Sequence, residues 1–472
     1  MRRLVFVLVA LWAVVQVIEM IWTPRGEYLG RSLAHLAEPP VHRLTDPYRN
    51  AYFHLIGFSA SPTSDPAKVG YDMWVESRDT VAGRSLNYEG SGRSDLHVPM
   101  PFRLVATPWD GDDPLAEFRA GKDALIHQLV DRHRMLLERY DRCLGLPFED
   151  WGFGQRATPR YEDILVAHRL YIAEGFTRSA GLGLDRLHKE LLFWRVVLRE
   201  AATPTAKVAA QVVMQDDAKL LSRMVARPTV DKPVLEAALQ LMVPLTKSEY
   251  SLRWPIQHQV ALAARRSGTG SVRGESAEQR DDPLQWLSAA AHLSPDAFHR
   301  IEHPANRSLL SALLGGQRTA DIYAAYYDRV IDASMTGSRI PRLREVERSM
   351  GRGMVEGFLN PTLVEPDWDI FLDQLMETDT RLRLTSLQVH LRKPNAPAAV
   401  PSRLAEVGSR YFDPFSGFPM LWSPTQQKLY SVGRDRLDDG GDPSFDISVP
   451  AIIAPIHAAV PRHVASSGAR RS

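Results

Sequence analysis

Five aspartates fall within twelve residues near the end of this 472-residue chain: Gly433-Arg434-Asp435-Arg436-Leu437-Asp438-Asp439-Gly440-Gly441-Asp442, then Asp446-Ile447. Carboxylates on a glycine-bearing loop can converge on a hard cation, and calcium accepts about six to eight oxygen ligands in irregular geometry, backbone carbonyls included. The alternating spacing of an EF-hand is absent. The competing reading is a surface hairpin with a solvated acidic loop, and Arg434 and Arg436 oppose a cation there.

Other residue types that could do chemistry have plainer readings. His127 and His133 stand six apart with Asp131 between them. That spacing does not set two imidazoles on one helix face, so both are expected as solvated surface side chains. Glu162-Asp163 and Asp216-Asp217 (with Lys219) are adjacent acids whose side chains diverge by about 100° on a helix. They are expected on charged outer faces, not as the facing pair that acid–base catalysis needs. Cys143, the one cysteine, excludes an intrachain disulfide and a multi-thiolate zinc site, and reads as a packed side chain. There is no Gly-x-Ser-x-Gly and no His-Glu-x-x-His, and Gly268-Thr269-Gly270 lacks the strand and helix of a phosphate loop. No catalytic residue is predicted.

The segment from Asp413-Pro414-Phe415 to Leu429-Tyr430-Ser431-Val432-Gly433, followed by Asp435, Asp439-Gly440-Gly441 and Asp446-Ile447, resembles the C-terminal loop of type II secretion major pseudopilins. The resemblance covers residues 413–447 and implies a calcium site that stabilises the domain. Asp435 and a later acid, Asp442 or Asp446, would be side-chain ligands, with the Val432 carbonyl contributing. Asp439 completes the candidate metal set of Val432, Asp435, Asp439, Asp442 and Asp446. The chain is not itself a pseudopilin, because Glu19 has no preceding glycine of a prepilin cleavage motif. As a whole it resembles large membrane-anchored helical envelope proteins of bacteria that end in this module.

The elements that must carry these residues are mostly helical. Leu184, Leu187, Leu191, Trp194 and Leu198 recur at three- and four-residue steps. Ile164, His168, Tyr171, Ile172 and Gly175 form a second stripe, and Leu125, Leu129, Leu136 and Leu137 predict a long helix from Pro114 to about Cys143. Breaks are expected at Pro147, Gly181-Leu182-Gly183, Thr203-Pro204, Arg227-Pro228 and Val243-Pro244. Residues 23–113, rich in proline and glycine, are expected to wrap the body in extended form, apart from a short helix at 50–58. Residues 265–282 read as a mobile loop. Met420-Leu421-Trp422 and Lys428 to Val432 predict a hairpin.

Leu4 to Trp22 is apolar except for Gln16 and Glu19, and follows Arg2-Arg3. As a helix the run is about 28 Å long, enough to span a bilayer. The flanking arginines place residues 1–3 in the cytoplasm and the body outside it. A cleaved signal peptide is the rival reading, but no small-x-small site ends the run. A buried soluble helix fits less well, because the run is apolar on all faces.

The fold class is therefore mainly α: a transmembrane helix at 4–22, an antiparallel helical body at 114–400, a hairpin-and-aspartate module at 401–460 and a tail at 461–472. A net charge of +1, from 57 basic and 56 acidic residues, argues against nucleic acid as a partner. The sequence points to a non-catalytic binding or scaffold protein of the inner membrane with a periplasmic body and an envelope protein as partner. The alternative is an envelope hydrolase with an acidic site between helices.

Overall fold

A computed structural model of the chain describes residues 34–79, 123–154, 157–268, 316–350, 368–392 and 400–451. The expected anchor at 4–22, all of the expected loop past Gly268 and the tail at 461–472 lie outside the described residues. No described helix is long and apolar enough to cross a membrane. The described chain is mainly helical, with one small antiparallel sheet.

A single turn, α1 (Ala34–Ala37), precedes α2 (Ala51–Ile56), whose Tyr52 amide is capped by the Asn50 side chain. α3 (Pro66–Asp79) follows. This fourteen-residue helix corrects the expectation of an extended wrap. Its signal was Asp65-Pro66: the Asp65 carboxylate accepts from Ala67 N at 2.9 Å, and proline suits a first turn. α2 and α3 meet at glycines, where a Cβ on Gly70 would lie 2.0 Å from the Phe53 carbonyl oxygen.

The helix expected to run unbroken to Cys143 is two: α4 (Asp123–Arg132) and α5 (Arg134–Leu144), interrupted at His133. α6 (Tyr161–Arg178) and α7 (Ala180–Glu200) are joined by Ser179 alone. They pack along each other, so one connecting residue makes them an antiparallel pair. The predicted break at Gly181-Leu182-Gly183 thus falls at Ser179, whose hydroxyl caps Leu182 N at 3.1 Å. Gly183 sits inside α7 because the Phe176 ring occupies the place of its Cβ. Both apolar stripes named above are buried.

Thr203 caps α8 (Pro204–Val225), with Pro204 in its first turn. α9 (Lys232–Leu241) and the single turn α10 (Lys247–Tyr250) lead to α11 (Arg253–Gly268), which carries helix through Arg265–Gly268, where a loop was expected. Beyond these come α12 (Gly316–Thr336), α13 (Leu343–Ser349), α14 (Trp368–Arg392) and α15 (Val400–Glu406). α8 is the axis of the body. It packs against α6, α7, α9 and α14, and all but two of its residues are buried.

The sheet has three strands, not the two of a lone hairpin: β1 (Leu421–Ser423), β2 (Lys428–Ser431) and β3 (Ile447–Pro450), in that order and antiparallel. Leu429 pairs with Trp422 on one side and Val449 on the other. β3 is short and ends in Pro450, which leaves it little sequence signature. Leu429, Ile447 and Val449 belong to the same core as Trp194 and Met214. The sheet is therefore packed on the helical body, against α14 and α8.

Candidate functional site

Because α8 is wrapped on every side, the polar residues in its sequence are carried into the core. Lys207, Gln211, Gln215, Asp216 and Asp217 are all buried. The charged outer face expected for Asp216-Asp217 does not exist, and Asp163 on α6 is equally buried, accepting from the Ser59 hydroxyl. A buried charge without partners is costly, so each of these groups requires an account.

Two helices bring their acids to an imidazole on a third. His168 of α6 has Nδ1 2.9 Å from Glu190 Oε1 of α7. Its Nε2 lies 3.7 Å from Asp216 Oδ2 of α8. Asp216 accepts from Arg169 Nε at 2.8 Å and Nη2 at 2.6 Å. The Tyr140 hydroxyl of α5 donates to Glu190 Oε1 and in turn accepts from Trp194 Nε1 at 2.8 Å. Asp217 completes the group, and the potential ligand atoms of His168, Glu190 and Asp217 all lie within 4.8 Å of one another. His168, Glu190 and Asp217 have no exposed surface, yet both Asp217 carboxylate oxygens and Glu190 Oε2 lack a hydrogen-bond partner.

The electrostatics follow from this geometry. Burial opposes charge on His168, but Glu190 and Asp216 outweigh it and push the imidazole up to about 10. Burial also opposes ionisation of Asp216, but Arg169 and His168 hold it well below the usual carboxylate range. Asp217 goes the other way: burial, then the Glu190 charge, lift it well above that range. Without an ion the surroundings thus favour the protonated form of both His168 and Asp217. One imidazole and two carboxylates are also the donor set that a transition metal accepts.

In the sequence His168 falls within an apolar stripe, and Glu190 carries no signal of its own. The missed signal was Asp217, which helical spacing sets on one face with Val213, Met214, Leu220 and Leu221, whereas Lys207, Gln211, Gln215 and Lys219 share another. His127 is exposed and His133 half-buried at the break between α4 and α5. Cys143 is buried, and burial pushes its thiol up to about 12, so it packs and does not attack.

In the C-terminal loop the carboxylates mostly bind their own backbone. Asp435 accepts from Leu437 N at 3.1 Å and Asp442 from Ser444 N at 2.9 Å, and both are exposed, as is Asp439. Asp446 is buried: its Oδ2 accepts from Gly441 N at 2.7 Å and Asp439 N at 3.2 Å, while Oδ1 has no partner. Val432 N donates to Asp413 Oδ2 at 3.2 Å. No three loop acids come within 4.8 Å of one another; among the described residues only the buried trio does so. Arg434 leaves the loop to pair with Glu377 of α14 at 2.6 Å.

At the surface, a groove of about 450 Å³ is lined by Arg134, Asp141, Tyr171, Glu174, Arg186 and Lys189 among others. Four of its charges are paired across it, Lys189 with Asp141 at 2.6 Å and Arg186 with Glu174 at 2.6 Å. The Tyr171 ring lies 5.5 Å from that of Tyr140 and faces it edge-on, so this aromatic pair stands between the groove and Glu190.

No protein-family profile, curated protein or solved structure matches this chain.

Proposed function

We propose that this is a non-catalytic binding or scaffold protein of the cell envelope, held by the 4–22 segment with its body in the periplasm. The observation that supports this reading is the burial of the converging acid and base groups. His168, Glu190 and Asp217 offer a substrate no surface, and in the neighbouring groove Arg186 and Lys189 are already neutralised by Glu174 and Asp141. Catalytic groups must reach the reacting atoms, whereas a binding surface needs only shape and complementary charge. The aspartate loop fits the same reading as a calcium-stabilised cap on the body. Its support is the buried, unpartnered Asp446 Oδ1 and the diversion of Arg434 to Glu377.

The hydrolase alternative rests on the same convergence of His168, Glu190 and Asp217. Full-length protein in detergent, assayed on chromogenic esters, glycosides and phosphoesters, is expected to give no turnover above buffer. Turnover that disappears in Asp217→Asn would establish the hydrolase instead. A periplasm-dependent reporter fused after Ser472 is expected to be active, and an inactive fusion beside an active cytoplasmic one would reverse the topology. Calcium is expected to raise the melting temperature of the wild type and not of Asp446→Ala. A wild type indifferent to calcium would remove the cap.

A further inference from the structure

We propose that His168 Nδ1, Glu190 and Asp217 form a closed structural site for a divalent transition-metal ion of the zinc class, tying α6, α7 and α8 together inside the body. Three independent features lead there. The donors are an imidazole nitrogen and two carboxylates, a mixture that suits zinc and its neighbours better than calcium or magnesium. They come from three different helices, and their atoms already lie within 4.8 Å of one another, so small side-chain rotations bring all three onto one ion, with the second Asp217 oxygen as the fourth donor that closes the shell. Asp217 and Glu190 aim carboxylate oxygens with no hydrogen-bond partner into a fully buried space. A purely structural polar network would leave fewer such atoms.

The supporting shell is also present. With Nδ1 on the ion, His168 keeps its proton on Nε2, which faces the Arg169-held Asp216 carboxylate at 3.7 Å. A carboxylate behind a ligating histidine fixes its tautomer and strengthens it as a donor. Tyr140, held by Trp194, fixes Glu190 in the same way. Because the trio has no solvent-exposed surface, the ion is acquired as the helices assemble, and its role is stability.

The test uses full-length protein produced in medium supplemented with Zn²⁺ or Co²⁺, extracted and desalted. The wild type is expected to retain about one equivalent of metal per chain, the cobalt form to show visible d–d absorption, and removal of the metal by refolding in chelator to lower the melting temperature. Asp217→Asn keeps the shape of the side chain and removes only its capacity for charge, so it should fold; its circular dichroism checks this. It is expected to lose the metal and the cobalt spectrum, as is His168→Gln, whereas Asp435→Ala in the C-terminal loop keeps both. A folded wild type with no metal from either medium overturns the site. So does metal that survives in folded Asp217→Asn, or that is lost only in Asp435→Ala.

Discussion

At the scale of single residues, partners decide what a buried charge is worth. Glu377 of α14 accepts from Arg381 at 2.8 Å and from Arg434 at 2.6 Å. Burial alone would raise it, but the two guanidinium groups hold its carboxyl down to about 2. The folded state therefore binds this proton more weakly than the unfolded chain. Its contribution is fully present above the unfolded carboxyl range and is lost as pH falls from about 4.5 toward 2. Glu377→Gln is expected to lower stability by about 2 kcal/mol at pH 7, a figure reduced because Arg434 is partly exposed. The gap between wild type and variant should narrow steadily in melts taken from pH 5 to pH 3. A gap that stays constant with pH would mean that the carboxylate charge is not what is lost. Sequence alone could not have paired Glu377 with Arg434, because fifty-seven positions separate them and neither belongs to a local motif.

At the scale of elements, spacing predicted the helices well where one face is apolar and failed where the fold imposed something else. The Leu184-to-Leu198 stripe identifies α7, and Thr203-Pro204 marks the start of α8, because periodicity and capping are local. The split of α4 from α5 and the position of Gly183 inside α7 depend on neighbours. The packing of α2 on α3 is a similar case, since Gly57 and Gly70 let two backbones approach as no larger residue could. A Cβ at position 70 would sit 2.0 Å from the Phe53 carbonyl oxygen, with Gly57 N 3.0 Å away. Both obstacles are backbone atoms, which do not rotate aside. Gly70→Ala is thus expected to force the helices apart at a cost of about 2–3 kcal/mol, despite the better helix propensity of alanine. Thermal denaturation would show this as a drop of several degrees, and an unchanged or raised midpoint would refute the close approach.

At the scale of the whole molecule, the C-terminal module is joined to the helical body through charge and core together. Arg383 of α14 donates to the Phe412 carbonyl at 2.5 Å, Arg434 reaches Glu377, and Gln388 donates to the Pro450 carbonyl. Leu429, Val432 and Val449 pack into the common core. A peptide of residues 400–451 alone would lose that apolar contact and, with three short strands, is expected to show no cooperative melt by circular dichroism. A sharp transition in the isolated peptide would make the module an independent domain.

Composition and local pattern were enough to fix the helical class, four of the five helix breaks named from proline and glycine, the first two strands and the role of Cys143 as a packed thiol. These follow from periodicity, turn chemistry and residue type, all of which act over a few positions. The aspartate run drew attention because its acids are neighbours in sequence, yet in the fold most of them turn to their own backbone amides. The cluster of His168, Glu190 and Asp217 was hidden for the opposite reason: its members lie on three helices, and only Asp217, set on an apolar face, carries a local hint of burial. Whether an acid on a helix faces water or another acid depends on what packs against that helix. For α8 four neighbouring helices supply the answer, and no local pattern in the chain encodes them.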